Sequence, residues 1–229
     1  MDKKILILLP IWGREKIVKI CFDNLKELQK DFNIDVLCVV SEQWAKVEAF
    51  KHGFKYVEAP NECLGTKHNI GIKEALTYKF DYLMNLGSDD IITKDLFKSY
   101  EQCFKDNIPM FGGTKLTFID SKSKEACEFD YKIMIDAGRC IRKDALKAVY
   151  NAYGCVYDEI QVGLDMNSMA KFKSYKQVEV DNPFNSIYDI KSDVNIWDYE
   201  VMSHKARKID FEDASKGLNT RQIDLILDL

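Results

Sequence analysis

The sequence predicts an α/β fold in which helices flank a mostly parallel central sheet. In the first half of the chain, short apolar runs typical of buried strands alternate with segments whose apolar residues recur at helical spacing. The connections between these segments are short, and strands joined through a helix pair in parallel. From about residue 106 the rhythm changes, and the strand-like runs indicate a more antiparallel arrangement.

The first predicted element is the apolar run "KILILLPIW", which stops before Gly13 and is typical of a strand buried on both faces. The elements of this half are, in order, a strand at 4–12, a helix over 15–32, a strand at 34–42, a short helix over 43–50, a strand at 55–60, a helix over 66–78, a strand at 81–87 and a helix over 93–105. In the short helix, Trp44, Val47 and Phe50 are predicted to share one side. Thr93 is predicted to cap the last helix.

The second half contains strand-like runs at 109–120, 131–138 and 176–180, with helical patterns at 142–153 and 164–172 between them. The tail from about Ser203 is strongly charged and ends in "RQIDLILDL", which is typical of a short amphipathic helix. No Pro-, Gly- or Ser-rich linker divides the chain. We therefore expect a single domain over 1–229, made of two halves at 1–105 and 106–202 and a helical tail at 203–229.

Composition limits the classes to which the protein can belong. Of its 229 residues, 46% are hydrophobic and 31% charged, and the net charge of −4 argues against a surface built to coat nucleic acid. No apolar run approaches the roughly 20 residues of a transmembrane helix. The first apolar run, of about five residues, is too short for a secretory signal. The seven cysteines form no CxxC pair, which argues against a zinc site and favours reduced thiols in a cytoplasm.

The stretch "YLMNLGSDDIIT" places two adjacent carboxylates, Asp89 and Asp90, directly after a predicted buried strand. Ligands of doubly wound sheets bind beyond the carboxyl ends of the strands. The pair is compatible with a helix start, because acidic residues favour the first helical turn. It is equally compatible with a divalent cation that bridges a diphosphate. A phospho-acceptor aspartate is disfavoured, because such sites need acidic residues after the first strand, where Trp12 and Gly13 stand.

A second polar segment, "NECLGTKHNIGIKEAL", places Lys67 and Asn69 between two glycines at a predicted helix start. Free backbone N–H groups and a lysine at a helix N-terminus suit a phosphate. The segment matches neither the GxxxxGK[ST] nor the GxGxxG phosphate-binding loop. An exposed helical lysine is therefore an equally good interpretation of Lys67.

Several motifs follow one another along residues 4–172: "LLPIWGR", "VVSE", "LGTKHNIGIKEAL", "LMNLGSDDII", "DAGRCIRKDAL" and "GLDMNSM". Their order and spacing resemble the GT-A glycosyltransferases, in particular small family-2-like enzymes of phage or viral type. The resemblance implies a nucleotide-diphosphate-sugar donor with UDP as the expected nucleotide, a divalent Mn²⁺ or Mg²⁺ ion, and transfer of the sugar to a hydroxyl of a glycan or another acceptor. It also implies a cytoplasmic protein, in the host cytoplasm if viral, with the donor on the first half and the acceptor on the second.

The resemblance implies roles for individual residues. The donor-side positions are Pro10, Trp12 and Arg14 beside the nucleoside, Glu42 at the base or ribose, Lys67 and Asn69 beneath the nucleotide, Ser88 within the acidic motif, and Gly138 and Arg139 beside the sugar. Asp89 falls on the metal-binding aspartate, with Asp90 beside it, and Asp165 falls on the catalytic carboxylate. Lys191, after a predicted strand, is compatible with a contact to the diphosphate or with a solvated lysine.

Two positions depart from the family pattern. Gly87 stands where the first acid of a DxD motif is common, and Leu164 stands where the family's ED pair has its first acid. The smaller number of carboxylates predicts weak metal binding without donor phosphates, because phosphate oxygens and water can complete the shell of a cation. One carboxylate is enough for the base of an inverting transfer, so Asp165 remains the candidate. Its rivals are Asp158 and Glu159, and His204 is a further candidate metal ligand.

The same residues are compatible with three other functions. One is a glycosyltransferase that acts on a hydroxymethylated base in phage DNA, with nucleic acid as the acceptor. Another is a nucleotidyltransferase, although "PIWGREK" lacks the glycine- and arginine-rich signature that such enzymes carry after the first strand. The third is a non-catalytic module that binds a nucleotide sugar or a glycan, because two of the family's acids are missing.

Overall fold

The computed structural model of the chain describes residues 2–192 and 199–229. Within these ranges the strands are β1 (Ile5–Ile11), β2 (Ile34–Val40), β3 (Lys55–Glu58), β4 (Tyr82–Asn85), β5 (Asp90–Ile92), β6 (Met110–Gly113), β7 (Lys115–Asp120), β8 (Ala126–Asp130), β9 (Cys140–Arg142), β10 (Gln177–Val180), β11 (Ile187–Lys191) and β12 (Arg207–Ile209). The helices are α1 (Glu15–Leu28), α2 (Gln43–Lys51), α3 (Leu64–Ala75), α4 (Lys94–Ser99), α5 (Glu101–Lys105), α6 (Lys143–Tyr153), α7 (Leu164–Lys171), α8 (Tyr199–Ser203), α9 (Phe211–Ala214) and α10 (Thr220–Leu227).

The central sheet has the strand order β10-β6-β9-β4-β1-β2-β3, and every neighbouring pair is parallel except those that involve β9. Strand β1 is buried along its whole length because both of its faces are covered. On one face, Ile7 and Leu9 share a core cluster with Phe22 and Leu25 of α1. On the other face, Leu8 belongs to a cluster with residues of α3 and α6. The predicted α/β fold with a mostly parallel central sheet is confirmed.

A second sheet has the order β12-β8-β7-β11-β5, and only the pair of β7 with β11 is parallel. This sheet confirms the more antiparallel character predicted for the later part of the chain. Its edge strand β5 comes from the first half of the chain and begins at Asp90, five residues after Asn85, the last residue of β4. The acidic motif therefore lies where the chain leaves one sheet and enters the other.

Three local predictions need correction. The buried side of α2 consists of Ala45, Glu48 and Ala49, whereas Phe50 is 78% exposed; the small alanines let this helix approach the sheet closely. The helix predicted over 93–105 is two short helices, although Thr93 caps the first of them as predicted, by accepting a hydrogen bond from the Asp95 backbone.

The predicted strand at 131–138 does not form. Lys132 and Gly138 have positive φ angles, which an extended strand cannot accommodate. The apolar pattern in this stretch has another cause: Met134 and Ile135 are both buried, but each belongs to a different core cluster. The segment therefore fills the space between two parts of the core instead of continuing a sheet.

The structure also bears on the predictions about the cysteines, membrane spans and the C-terminal helix. All seven cysteines are free, and five of them are buried. Across the residues that the structure describes, no helix is long and apolar enough to cross a membrane. The predicted amphipathic helix at the end of the chain is α10, whose Asn219 and Gln222 form a reciprocal capping box.

The start of α3 is packed tightly against residues 158–160 of the second half. The Gly65 backbone N–H donates to the carbonyl of Ile160 at 3.1 Å. A methyl group on Gly65 would lie 1.9 Å from the backbone oxygen of Asp158, a distance that no side-chain movement can relieve. The absence of a side chain at this position therefore allows the contact between the two halves.

We predict that Gly65→Ala lowers the free energy of unfolding by about 1–3 kcal/mol, because the added carbon overpacks a contact with backbone atoms. Urea denaturation followed by circular dichroism measures the change. Lys73→Ala is the control, since Lys73 is an exposed residue of the same helix. Equal stabilities of Gly65→Ala and the wild type would show that the contact is not as tight as described.

Candidate active site

The carboxyl ends of β1, β2 and β4 meet at one edge of the central sheet, as the pairing register requires. The turn after β1 is held by Glu42, which follows β2: its Oε2 accepts a hydrogen bond from the Gly13 backbone at 2.7 Å. Gly13 and Arg14 both adopt left-handed backbone conformations there. Pro10 is buried inside β1, whereas Trp12 is 48% exposed beside the turn. An exposed indole at a ligand-binding edge offers a flat apolar surface.

Arg14 crosses from this turn to the acidic motif. Its guanidinium donates to Asp89 Oδ2 at 2.5 Å and to Ser88 Oγ at 3.1 Å. Both members of the Arg14–Asp89 ion pair are largely shielded from solvent, with side chains 14% and 15% exposed. A shielded ion pair is screened less than a surface pair and fixes its partners more firmly. The structure therefore brings together the two segments that the sequence places 75 residues apart.

Asp90 lies opposite Asp189 in the antiparallel ladder between β5 and β11. Side chains directly opposite each other in such a ladder are close neighbours, and like charges there repel. Burial and the negative charges of Asp89 and Asp189 raise the pKa of the Asp90 carboxyl well above its usual range. Burial also raises the pKa of Asp189 to about 6, although Lys191 opposes that shift.

Lys191 supplies the local positive charge. It is buried, donates to Asp189 Oδ2 at 2.7 Å, and lies 4.9 Å from the centre of the Phe118 ring. Burial alone would lower the pKa of Lys191, but the negative charges of Asp189 and Asp89 raise it. Three carboxylates and two cations, Arg14 and Lys191, thus form one cluster, which we call the acidic cluster.

The acidic cluster offers oxygen ligands that suit a hard divalent cation. Asp89 Oδ1 and Asp90 Oδ2 lie 2.8 and 2.7 Å from the point where a Cβ atom on Gly87 would stand. The Oδ1 atom of Asp189 is buried and has no hydrogen-bond partner in the described part of the chain. Within the same ranges, no group of three or more His, Cys, Asp or Glu side chains is arranged to hold a metal ion. A cation here would need further ligands from phosphate oxygens and water.

The Lys67 side chain contacts the ends of both β1 and β2. Lys67 is only 1% exposed, and its ammonium group donates to the Ile11 carbonyl at 2.5 Å, to Ser41 Oγ at 2.7 Å and to Asn61 Oδ1 at 3.1 Å. All three N–H bonds of the ammonium group are therefore used. Burial lowers the pKa of Lys67 to about 8, against the opposing effect of the Glu42 charge.

Asn69 follows two residues later on α3 but faces the second half. Its Oδ1 accepts from the backbone N–H groups of Val156 and Tyr157, and its Nδ2 donates to the Tyr157 carbonyl at 2.7 Å. That Asn69 contacts the nucleotide stays a prediction. These hydrogen bonds give the Asn69 side chain a structural role as well. It holds the segment after α6 against the first half of the chain.

A second group of polar residues surrounds Asp136. The Asp136 carboxylate accepts from Asn85 Nδ2 at 3.0 Å and from the Tyr157 hydroxyl at 3.0 and 3.3 Å, and it pairs with Arg139 at 3.1 Å. Asn85 is the last residue of β4, and its carbonyl accepts from the Gly138 backbone at 2.8 Å. This group, which we call the Asp136 network, therefore lies directly beside the strand that leads into the acidic motif.

Arg139 is completely buried and extends the network to α7. It donates to Ser168 Oγ at 2.6 Å, to the Asp165 carbonyl at 3.2 Å and to the Met134 carbonyl at 3.0 Å. These bonds occupy the guanidinium group with protein atoms. Arg139 therefore fixes the start of α7, and its predicted contact with the sugar stays a prediction.

The Asp165 carboxylate has fewer hydrogen-bond and ion-pair partners than the carboxylate of Asp136. It lies half-buried in the first turn of α7. Burial raises the pKa of Asp165 to about 6; the charge of Asp136 adds to the increase, and Arg139 opposes it. A carboxylate with a raised pKa that is still ionised near neutral pH suits a general base.

The rival acids are less suitable for that task. Asp158 pairs with Lys171 at 2.6 Å and accepts from Asn167 Nδ2 at 2.6 Å, and both contacts lower its pKa. Glu159 is exposed. His204 lines a separate cavity of about 560 Å³ together with Asp120, Glu125 and Lys191. Trp197, which the sequence places after β11, falls outside the described residues.

Sequence reasoning missed four residues of the site. Asp136 lay inside a motif that was selected for Gly138 and Arg139, whereas Tyr157 and Asp189 lay outside the recognised motifs. Tyr131 is the fourth: burial and the charges of Asp189, Asp165 and Asp90 raise the pKa of its phenol.

Comparison with known proteins places this arrangement in a structural class. No protein-family model matches the chain, and no curated protein sequence matches it. Among solved structures, TarS from S. aureus has 16% sequence identity and a TM-score of 0.59, over 82% of this chain and 37% of TarS. This chain thus spans little more than a third of that protein.

Two further structures share the fold. Glucosyl-3-phosphoglycerate synthase from Mycobacterium tuberculosis, crystallised with Mn²⁺, UDP and glucosyl-3-phosphoglycerate, has 12% identity and a TM-score of 0.52, over 80% of this chain and 72% of the synthase. CMP:2-keto-3-deoxy-manno-octonic acid synthetase, complexed with CTP, has 13% identity and a TM-score of 0.50, over 88% of this chain and 96% of the synthetase. The chain has a GT-A fold, and at these identities the similarity establishes the fold alone.

We predict that the buried Lys67 makes stability increase with pH in alkaline solution. The unfolded lysine, with an ordinary pKa of 10.5, binds more protons between about pH 8 and 10.5 than the folded one does. Stability therefore rises with pH over that range. From about pH 7 to about pH 9.5 the wild type should gain about 1–2 kcal/mol relative to Lys67→Met.

Urea unfolding of both proteins at the two pH values tests this prediction. Tyrosine and cysteine residues also titrate in this range, but they are common to both proteins and cancel in the difference. Parallel pH profiles for the wild type and Lys67→Met would mean that Lys67 titrates normally in the folded protein.

Proposed function

We propose that the protein is a glycosyltransferase that moves a sugar from a nucleotide-diphosphate sugar, with UDP as the expected nucleotide, to an acceptor hydroxyl. The observation that carries this proposal is the presence of two distinct carboxylate groups at the same edge of a GT-A fold. The acidic cluster contains fixed cations, whereas the Asp165 carboxylate forms no ion pair with any of the residues that the structure describes. Glycosyl transfer needs both: positive charge at the leaving diphosphate and a carboxylate at the acceptor.

The donor would lie along the ends of β1, β2 and β4. Trp12 offers an exposed ring to the base, and Glu42 already shapes the turn that would border the ribose. Lys67 supports the ends of β1 and β2 through its hydrogen bonds to the Ile11 carbonyl and the Ser41 hydroxyl. Arg14 and Lys191 are the cations closest to the acidic cluster and would face the diphosphate.

Asp89 and Asp90 would hold a Mn²⁺ or Mg²⁺ ion, with phosphate oxygens and water as its remaining ligands. When bound, the ion would neutralise charge on the diphosphate leaving group. The Arg14 guanidinium contacts Asp89 Oδ2, so cation binding at that oxygen requires Arg14 to give up part of its ion pair. A negatively charged diphosphate would provide the alternative partner for Arg14.

The first experiment incubates the protein with Mn²⁺ and a panel of nucleotide sugars and measures the released nucleoside diphosphate. Its release in the presence of an acceptor supports glycosyl transfer. Incubation with nucleoside triphosphates and sugar acids, with pyrophosphate as the readout, tests the nucleotidyltransferase alternative that the CTP-bound structure of the same fold keeps open. Hydroxymethylated DNA among the acceptors tests the nucleic-acid alternative. Binding without any product would indicate the non-catalytic module.

We predict that Asp89→Asn removes most of the Mn²⁺-dependent gain in UDP affinity. A neutral amide is a poorer ligand for a hard cation than a carboxylate, so a loss of tenfold or more is expected, on the order of 1.4 kcal/mol. Isothermal titration calorimetry of UDP with and without Mn²⁺ measures it. Asp224→Asn, the same change at an exposed site on α10, is the control. Full retention of the Mn²⁺ effect in Asp89→Asn would place the metal elsewhere.

We predict that Asp165→Asn lowers the transfer rate by roughly a hundredfold or more, the scale expected for the loss of a general base. Metal-dependent UDP binding should stay nearly unchanged, because Asp165 lies outside the acidic cluster. Asp158→Asn serves as a matched control on the neighbouring rival acid and should retain transfer. If Asp165→Asn also loses UDP binding, then Asp165 belongs to the donor site and the inverting assignment loses its support.

A further inference from the structure

Cys155 and Lys171 form a contact that the proposed reaction does not use. The Lys171 ammonium group donates a hydrogen bond to the Cys155 sulfur at 3.1 Å. Cys155 is one of two thiols that are partly exposed, whereas the other five cysteines are buried. A thiol that a small oxidant can reach and an amine in contact with its sulfur are the two components of a covalent sulfur–nitrogen bond.

The backbone of Cys155 is fixed on both sides. Gly154 precedes it in a left-handed conformation and ends α6 by donating its N–H to the Tyr150 carbonyl at 2.8 Å. The next two residues along the chain donate their backbone N–H groups to Asn69 Oδ1. The Cys155 thiol also lies 3.8 Å from the Tyr153 carbonyl, to which it can donate. The sulfur therefore has a defined position.

Lys171 is the last residue of α7 and is anchored by an ion pair. Its ammonium group lies 2.6 Å from Asp158 Oδ1, and the Lys171 side chain is only 12% exposed. Asp158 is itself fixed, because its Oδ2 accepts from Asn167 Nδ2 at 2.6 Å and its backbone N–H donates to Asn167 Oδ1 at 2.7 Å. The surroundings of Lys171 therefore hold its nitrogen against the Cys155 sulfur.

The second partly exposed thiol, that of Cys63, has different surroundings. It donates to the Ile160 carbonyl at 3.4 Å. Within the described part of the chain, no lysine donates to its sulfur. Cys63 is therefore an internal reference: it reports whether an oxidant has reached partly exposed thiols, but it has no amine with which to react.

We propose that Cys155 and Lys171 are a redox-sensitive pair, which hydrogen peroxide joins by a reversible sulfur–nitrogen (sulfenamide) bond. The bond would link the end of α7 to the segment after α6 and would restrain the helix that carries Asp165. This inference is independent of the proposed function, because the bond forms without donor or acceptor.

The bond forms in two steps that consume one peroxide. The Cys155 thiolate attacks a peroxide oxygen, so an S–O bond forms, the O–O bond breaks and hydroxide leaves. The hydroxide takes a proton from the Lys171 ammonium group and becomes water. The free amine then attacks the sulfur, and the sulfenic oxygen leaves as a second water together with one amine proton. Sulfur loses two electrons, and the peroxide gains them.

The protonation of Lys171 is consistent with this order of steps. Burial would lower the pKa of Lys171, but its hydrogen bonds to Asp158 and Cys155 raise it. Lys171 is therefore an ammonium ion before oxidation and cannot attack sulfur. The hydroxide released by the first step is the base that the second step needs.

The test treats the wild-type protein with hydrogen peroxide, without donor or acceptor, until half of Cys63 has lost its free thiol. Proteolytic cleavage after Glu159 separates the peptides of Cys155 and Lys171 unless the two are bonded. Mass spectrometry should find the two peptides linked, and lighter by two hydrogen atoms than their sum. Dithiothreitol should release both peptides unmodified, because a thiol reduces the sulfur–nitrogen bond.

Two variants are matched controls. Lys171→Arg keeps a positive charge beside Asp158 but has no primary amine, and Cys155→Ser has no thiol. Neither should give the linked pair, and Lys171→Arg should accumulate the sulfinic and sulfonic acids of Cys155 instead.

Two results overturn the proposal. One is a wild-type protein whose Cys155 gives the same unlinked acids as in Lys171→Arg. The other is a wild-type protein whose Cys155 stays a free thiol, or pairs with another cysteine, while Cys63 is oxidised. The wild-type result alone decides if a variant fails to fold.

Discussion

The site depends on a change of sheet that the chain makes within a few residues. Strand β4 ends at Asn85 in the central sheet, and β5 begins at Asp90 in the second sheet. The connection is so short that both carboxylates of the acidic motif fold back over Gly87, where any side chain would collide with them. A side chain at position 87 would therefore require the carboxylates of Asp89 and Asp90 to move.

Short local patterns were sufficient to predict much of this fold. Strand β1 was predictable because an uninterrupted apolar run fits only a strand covered on both faces, and the cap by Thr93 because its determinants lie within two residues. The structure of the segment 131–138 was not predictable, because its apolar residues pack into two separate core clusters and their spacing resembles that of a strand. At the site, Asp89, Asp165 and Arg14 could be selected from motif order. Asp189 and Asp136 could not, since only the ladder between β5 and β11 and the turn against Asn85 bring them to their partners.

The site also concentrates buried charge. Asp90, Asp189, Lys191, Lys67 and Arg139 are all largely withdrawn from solvent. Burying an ionised group costs several kcal/mol unless partners compensate for its lost hydration, and replacing such pairs by apolar residues often stabilises a protein. The sequence retains them around the ends of β1, β2 and β4 and on the neighbouring strands β5 and β11, which is the pattern expected where charge serves chemistry rather than stability. The raised pKa values of Asp90 and Asp189 reflect the same crowding of negative charge.

Helix α3 has a consequence for how such a protein can diversify. Within five residues, Gly65 abuts residues 158–160, Lys67 supports the ends of β1 and β2, and Asn69 holds the backbone of residues 156 and 157. The two halves therefore cannot be exchanged as independent modules. A chimera that receives the 153–163 segment of a relative would keep its geometry only if the residues at positions 65 and 69 came with it, so changes in this segment must coevolve with the first two turns of a helix on the opposite side of the boundary.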